Sequence, residues 1–345
     1  MKIFYLQGSY PFCYYYRGYL PGVYSGQYTM PYGSEPNTAQ VLESDVVVFQ
    51  RPSEDRLIKL ARLLKENGKK VIFENDDTYA INKGIMLDRL ENDQQRAKAK
   101  EISKNINTFL ELADGVIAST PILAKEYAEI NPNVCVLKNC IDPNDEFPKK
   151  PNTTGKFRIG FIGSVTTNDD YVHIKDQIKK LDERGDVTIV VLGVKFKDGS
   201  YISFMHEDYV FWNSLKNVEW HPYVHVTEFM STLANLSLDL AIIPRVDSYF
   251  NRCKSNLKFL EMSLLRIPVL AQGFSDGLSP YQGDVENYLT IVLDNSKWYD
   301  KIIEIKDDYK RYANLADKAH DFVLKEYNIE FYATEWTNKI KQLCK

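Results

Sequence analysis

The stretch "FNRCKSNLKFLEMSLLRIPVLAQ", Phe250 to Gln272, places Lys254, Lys258 and Glu261 just ahead of an apolar run. Leu257, Leu260 and Leu264 recur at helical spacing, and Val269-Leu270-Ala271 after Pro268 reads as a short buried strand. The segment is a helix feeding a strand. Ser255 and Asn256 are helix-capping residue types, so the helix starts near Lys254 and carries Lys258 and Glu261 on one face. Free N–H groups, the positive end of the helix macrodipole and two ammonium groups together suit a phosphate. A carboxylate one turn further in can accept hydrogen bonds from a sugar diol. An isolated Lys/Glu pair more often marks the solvated face of an amphipathic helix, so the rest of the chain must decide.

Three other stretches could carry chemistry. "GFIGSV" has its glycines, Gly160 and Gly163, at GxxG spacing, which departs from the dinucleotide fingerprint; what remains is a turn, Gly163-Ser164, whose bare N–H groups could approach a phosphate. A plain tight turn explains it equally well. "FENDDTY" sets Glu74, Asp76 and Asp77 at a strand's end, where they could hold a divalent cation on a diphosphate, bind a sugar hydroxyl, or cap the next segment. Capping needs fewer than three acids, so at least one is expected to face the cleft. "HPYVH" offers His221 and His225, but Pro222 argues for a turn and no third ligand completes a metal set, so both histidines read as structural.

These residues need elements to position them. The 345 residues are 44% hydrophobic and 26% charged, an ordinary globular composition long enough for two domains. A net charge of −4 gives no global attraction to phosphate backbones or anionic membranes. Five cysteines without a CxxC pair fit reduced thiols in a cytoplasmic protein. No apolar run approaches spanning length, and the polar turn at Gln7-Gly8-Ser9 comes too early for a signal-peptide core. The reading is therefore a cytoplasmic, soluble protein without membrane insertion.

Strands are read at Lys2 to Leu6, "SDVVVFQRP", "KKVIFEND", "DGVIAST" and "VCVLKNCID", with helices over Asp55 to Glu66, Arg96 to Leu112 and Pro121 to Glu129. After "FPKKPNTTGK", which has linker composition, the alternation resumes: "FRIGFIGS", a helix over Val172 to Leu181, "VTIVVLG", a helix over Thr227 to Leu236, "LDLAIIP", the opening segment, "YLTIVL" and a helical C-terminus from Trp298. Alternation of this kind predicts α/β architecture, two doubly wound parallel-sheet domains whose ligand crevice lies at the strands' carboxyl ends. The expected division is 1–148, a linker at 149–156, a second domain at 157–325, and a C-terminal helix at 326–345 packing back toward the first.

Taken together, the motifs resemble GT-B glycosyltransferases related to family 4, the retaining, nucleotide-sugar-dependent enzymes. "IGFIGSVTTNDDY" resembles an "IGYxGSxTHxxD" opening, and "FNRCKSNLKFLEMSLLRIPVLA" resembles the "FNxxKSxLKxLEYxxxGxPVVA" segment of one bacterial and phage branch. "YYRGYLP", "VVVFQRP", "VIFENDDTY", "DGVIASTPILAKEY" and "VCVLKNCID" follow that branch in order and spacing, so the likeness spans nearly the whole chain. The resemblance implies two Rossmann-like domains facing a central cleft. It implies transfer, by a hexosyl- or pentosyltransferase, of a sugar from a nucleoside diphosphate held by the second domain to an acceptor held mainly by the first. Glu261 matches the ribose-binding glutamate, Lys258 and Lys254 fall where donor phosphates are neutralised, and Gly163-Ser164 matches the phosphate-side turn, with Ser255 and Asn256 at the helix start. No metal or cofactor is implied beyond the nucleotide sugar as co-substrate.

Two departures stand out. The first glutamate of the family's E-x7-E pair is Cys253 here, and the THxxD histidine is Thr167. Asp76 or Asp77 is the candidate to hold the sugar or the acceptor instead. The implied acceptor is a surface or cell-wall glycan, with a hydroxymethylated DNA base as the alternative, and a non-catalytic nucleotide-sugar binder as the reading outside catalysis. The tyrosine-rich stretch after the first strand reads as a loop with exposed aromatics, and Tyr15, Tyr16 and Arg17 are expected to line the acceptor pocket with Arg17 as its anchor.

Overall fold

In the computed structural model the described residues are 1–8, 11–31, 34–87, 90, 92–163, 169–195, 198–200 and 206–345. Contacts divide the chain into two units. The first comprises Met1–Asp142, Arg252–Ser255 and Tyr327–Lys345, and the second Pro143–Asn251 and Asn256–Glu326.

The first unit holds six strands, β1 (Ile3–Gln7), β2 (Tyr28–Thr29), β3 (Val46–Gln50), β4 (Lys70–Asn75), β5 (Gly115–Ala118) and β6 (Val134–Val136). They pair in the order β2-β1-β3-β4-β5-β6, every neighbouring pair parallel. Continuous apolar runs such as "VVVFQ" are buried at every position, the pattern of a strand covered on both faces. Strand order reverses between β1 and β3, which makes that gap the place where a doubly wound sheet opens a crevice. The helix Asp55–Glu66 buries Leu57, Ile58, Ala61 and Leu64, and ends at Gly68, whose φ of +75° is the left-handed stop that glycine adopts without a Cβ clash. The C-terminal helix Ile329–Leu343 adds Trp336, Ile340 and Leu343 to the core on one face of this sheet.

The second unit repeats the architecture with β7 (Phe157–Ile162), β8 (Val187–Lys195), β9 (Val218–Pro222), β10 (Leu240–Ile243), β11 (Val269–Gln272) and β12 (Thr290–Val292). Their order is β12-β11-β10-β7-β8-β9, again all parallel, and it is the dinucleotide-fold order with its switch point between β7 and β10. Its core gathers Phe161, Tyr171, Trp212, Leu240, Leu270 and Trp298.

The stretch after β1 corrects the sequence reading. It is helical: Pro11–Tyr14, a π-turn at Tyr15–Tyr19, and Leu20–Tyr24. Pro11 opens the helix, where a missing N–H costs nothing. Gly18 looks like a loop residue but answers to packing, because a Cβ there would lie 2.4 Å from the Tyr14 ring. "HPYVH" also differs from the expected turn, since His221 and Pro222 close β9; β9 is an edge strand, where proline forfeits no ladder bond.

Candidate active site

At the switch point of the second sheet, the helix Leu257–Leu264 follows Asn256, whose carbonyl accepts from Phe259 N–H at 2.8 Å without any side-chain cap. Glu261 on this helix is 5% exposed. Lys258 Nζ donates to the Ile162 carbonyl at 2.6 Å, so the ammonium is held at the carboxyl end of β7. Gly163 follows directly, its N–H bonded to Leu192 O at 3.1 Å. β8 can approach this turn because residue 193 is glycine, at φ +88°; a Cβ there would sit 2.5 Å from the Gly163 carbonyl oxygen.

A buried ion pair spans the same switch point. Asp170 arrives in the segment after β7 and Arg245 in the loop after β10, and they are 2% and 5% exposed. Asp170 Oδ2 accepts from Arg245 Nη1 at 2.6 Å, while Oδ1 accepts from Asn251 Nδ2 at 2.7 Å and from Val246 N–H at 3.1 Å. Burial alone would lower the arginine's pKa, but Asp170 and Tyr281 more than offset it and the net shift is upward. Tyr281, buried and itself pushed up by burial, lies in the fields of both Arg245 and Glu261. The pair thus ties the post-β7 segment to the loop that leads into the Lys258/Glu261 helix.

The first unit collects its charges at its own carboxyl edge. Arg51, at the unusual φ of 49° for a side-chain-bearing residue, donates through Nη2 to Asp76 at 3.2 Å and to Asp77. Lys254 also pairs with Asp77. Burial raises the Asp77 pKa, but Lys254 and Arg51 outweigh it and hold the carboxyl at about 2. The two carboxylates are therefore neutralised by side chains, and among the described residues no group of three or more His, Cys, Asp or Glu is placed to hold a metal ion.

Glu74 is fully buried, with Oε1 2.6 Å from Arg17 Nε. Burial raises its pKa and the arginine offsets this only in part, leaving it at about 7. Its folded carboxyl therefore binds a proton more tightly than an unfolded glutamate at 4.5. The stabilising contribution is complete below about pH 4.5 and is lost as the pH rises through about 7. Glu74→Gln should remove that slope from urea midpoints measured between about pH 4 and 8; an unchanged slope in the variant would assign it elsewhere.

No model of a known protein family matches the sequence, and no curated protein does. Solved structures do match. HepE from Anabaena, crystallised with UDP-glucose, superposes with a TM-score of 0.65 over 99% of each chain at 12% identity. The fold is GT-B. A glycosyltransferase from Rickettsia africae shares this GT-B architecture at a TM-score of 0.62, over 99% of this chain and 98% of that one, with 10% identity. TarM matches 85% of this chain at a TM-score of 0.59 and 14% identity, and the chain spans 54% of TarM's length.

On this GT-B frame the residues singled out from sequence fall into separate groups. Gly163, Lys258 and Glu261 belong to the second unit, with Asn256 at the helix start. Lys254 and Ser255 belong to the first, where Lys254 pairs with Asp77 and Ser255 Oγ accepts from Asn139 Nδ2 at 2.7 Å. Ser164 and Thr167 lie outside the described residues. Cys253, at the missing glutamate's position, is fully buried, and its carbonyl accepts from Thr120 Oγ1 at 2.9 Å.

The exposure expected for Tyr15, Tyr16 and Arg17 is overturned: they are 8%, 4% and 0% exposed. Arg17 donates to Glu74, to the Leu137 carbonyl at 2.6 Å and to Asn139 Oδ1 at 3.1 Å, and its guanidinium lies 4.7 Å from the Trp336 ring centroid. The arginine ties sheet and helices together through Nε and Nη1, while its Nη2 is buried without a hydrogen-bond partner among the described residues.

Sequence reasoning missed Arg51, Asp170, Arg245 and Asn251. Asp170 had a signal, since it occupies the aspartate of the "IGYxGSxTHxxD" pattern. Arg51 had a weaker one, ending a buried strand immediately before Pro52. Arg245 had none, because nothing local reveals that it meets Asp170.

Proposed function

We propose that the chain is a retaining, nucleotide-sugar-dependent glycosyltransferase whose donor is held by the second unit. One observation carries the reading: in a GT-B fold, a lysine and a buried glutamate on one short helix stand at the switch point of a dinucleotide-order sheet, with Lys258 anchored at the end of β7. Glu261 would accept from the ribose hydroxyls, and Lys258 and the Gly163 turn would meet the diphosphate. Charge builds on the departing diphosphate in the transition state, so a fixed ammonium there is the main catalytic contribution. The acceptor hydroxyl attacks from the leaving group's side and passes its proton to a departing phosphate oxygen. No metal is required in this scheme.

A glycan acceptor is favoured by the first sheet's carboxyl edge. Gln7, Gln50 and Glu74 lie side by side in register. Gln7 Oε1, both amide atoms of Gln50 and Glu74 Oε2 are buried without a hydrogen-bond partner. These atoms are buried, so an acceptor meets them only where the edge opens; their mix of donors and acceptors then suits hydroxyl groups, which do both.

UDP is the first nucleotide to test, because HepE was crystallised with it. Glu261→Ala should weaken UDP binding by about 1–3 kcal/mol in calorimetry, the cost of leaving buried hydroxyl contacts unmade. Unchanged affinity in a folded variant removes Glu261 from the site. Incubating the wild-type chain with a panel of nucleotide sugars tests the activity itself: slow donor hydrolysis excludes a pure binder, whereas tight binding of a donor with no cleavage and no transfer overturns the enzymatic reading.

A further inference from the structure

The second unit contains a partly open cavity of about 590 Å3 whose walls include Phe147, Lys149, Leu265, Arg266 and Tyr309. It lies at the amino ends of the strands. Leu265 and Arg266 lead into β11, and Tyr309 packs edge-on against Phe157, the first residue of β7, with ring centroids 5.9 Å apart. Lys258 reaches the other end of β7 at Ile162, five residues on and about 17 Å away along the strand. The cavity and the proposed donor site are therefore on opposite edges of one sheet.

All but one of the cavity's charges are paired. Arg266 Nη1 donates to Glu146 Oε1 at 2.7 Å, the same oxygen lies 3.0 Å from His320 Nε2, and Arg266 Nε is 3.6 Å from Asp317 Oδ1. Lys149 is half-buried, yet its ammonium makes no hydrogen bond or ion pair with the described residues. Burial lowers its pKa, and Asp239 and Asp317 act on it only through the field. Asp239 is engaged elsewhere, accepting from Asn152 Nδ2 at 2.5 Å and from Arg158 N–H at 2.8 Å. The lysine's backbone is fixed next door by Lys150 N–H bonding Ala234 O at 3.0 Å. A partly desolvated ammonium whose nearest carboxylates act only at a distance lacks a direct counter-charge, and an incoming oxyanion supplies one.

We propose that this cavity binds a small organic oxyanion, a carboxylate or phosphate monoester, whose charged group pairs with Lys149 Nζ and whose body lies against Tyr309 and Leu265. Its volume is that of ordinary small-molecule sites, and the aromatic and aliphatic walls give an apolar body something to cover. The site is distinct from the one proposed for the nucleotide sugar, so the two stand or fall separately.

Calorimetric titration of the full chain with phenyl phosphate, benzoate and inorganic phosphate tests it. Expected is single-site binding of phenyl phosphate or benzoate, weakened about tenfold or more by Lys149→Met and by Tyr309→Ala, with UDP binding unaffected by either change. Inorganic phosphate, lacking the body, should bind at least about tenfold more weakly than phenyl phosphate. Absence of binding for both organic probes, equal binding to Lys149→Met, or inorganic phosphate binding as well as phenyl phosphate overturns the proposal. If Lys149→Met does not fold, acetylation of Lys149 in the wild-type chain, read by mass spectrometry, decides: protection by phenyl phosphate supports the site and equal labelling overturns it.

Discussion

Asp170→Ala is expected to destabilise the second unit by about 3–5 kcal/mol, because it leaves Arg245 buried and charged without its partner. The arginine is 5% exposed and cannot shed its proton at any ordinary pH, so the folded state has no cheap way to relieve the loss. Asp170 also accepts from the Val246 amide, which would be orphaned, and from Asn251 Nδ2, which would keep only its bond to the Val246 carbonyl. Asp170→Asn keeps acceptor capacity but not charge, and should fall between the wild type and the alanine variant. Urea unfolding followed by tryptophan emission reads this directly, since Trp212, Trp220 and Trp298 all lie in the second unit. A midpoint unmoved at constant slope would mean that the pair contributes nothing. The double change Asp170→Leu with Arg245→Met should recover part of the loss, because an apolar pair leaves no charge stranded.

Lys258→Ala is expected to reduce turnover by about 10²- to 10³-fold while changing nucleotide affinity far less. The ammonium is already fixed at the Ile162 carbonyl, so its position is prepaid before the diphosphate charge develops. An equal loss in binding and in turnover would demote it to a ground-state contact. Lys254→Ala should have the smaller effect on turnover, since its ammonium pairs with Asp77. Transfer should persist with a chelator present, because Arg51 contacts both Asp76 and Asp77. A strict requirement for Mg²⁺ or Mn²⁺ would return those carboxylates to the role of metal ligands.

Much of the frame was legible in the sequence because parallel strands buried on both faces leave unbroken apolar runs. "VVVF" in β3 and "LAII" in β10 are such runs, and both are central strands. The helix at Leu257–Leu264 was readable from leucine spacing, and its charged face from Lys258 and Glu261. The tyrosine-rich stretch was misread because its glycine and prolines imitate a loop. Pro11 in fact opens a helix, and Gly18 makes room for the Tyr14 ring, a contact across one turn that no local rule signals.

The sequence by itself determined most of the strands and helices in both halves, though not β2, β9 or the helical stretch after β1, and which short helix carries the lysine and glutamate, because periodicity and capping are local properties of the chain. Tertiary structure alone decided which charges are available for chemistry. Arg17, read as an exposed anchor, is bound to Glu74, Leu137 and Asn139; Lys254, read with Lys258, pairs with Asp77. Arg245 and Asp170 are 75 residues apart and meet only because strand order reverses between β7 and β10. A charge taken out of water must find a partner wherever the fold supplies one, and that partner is set by sheet order rather than by sequence distance.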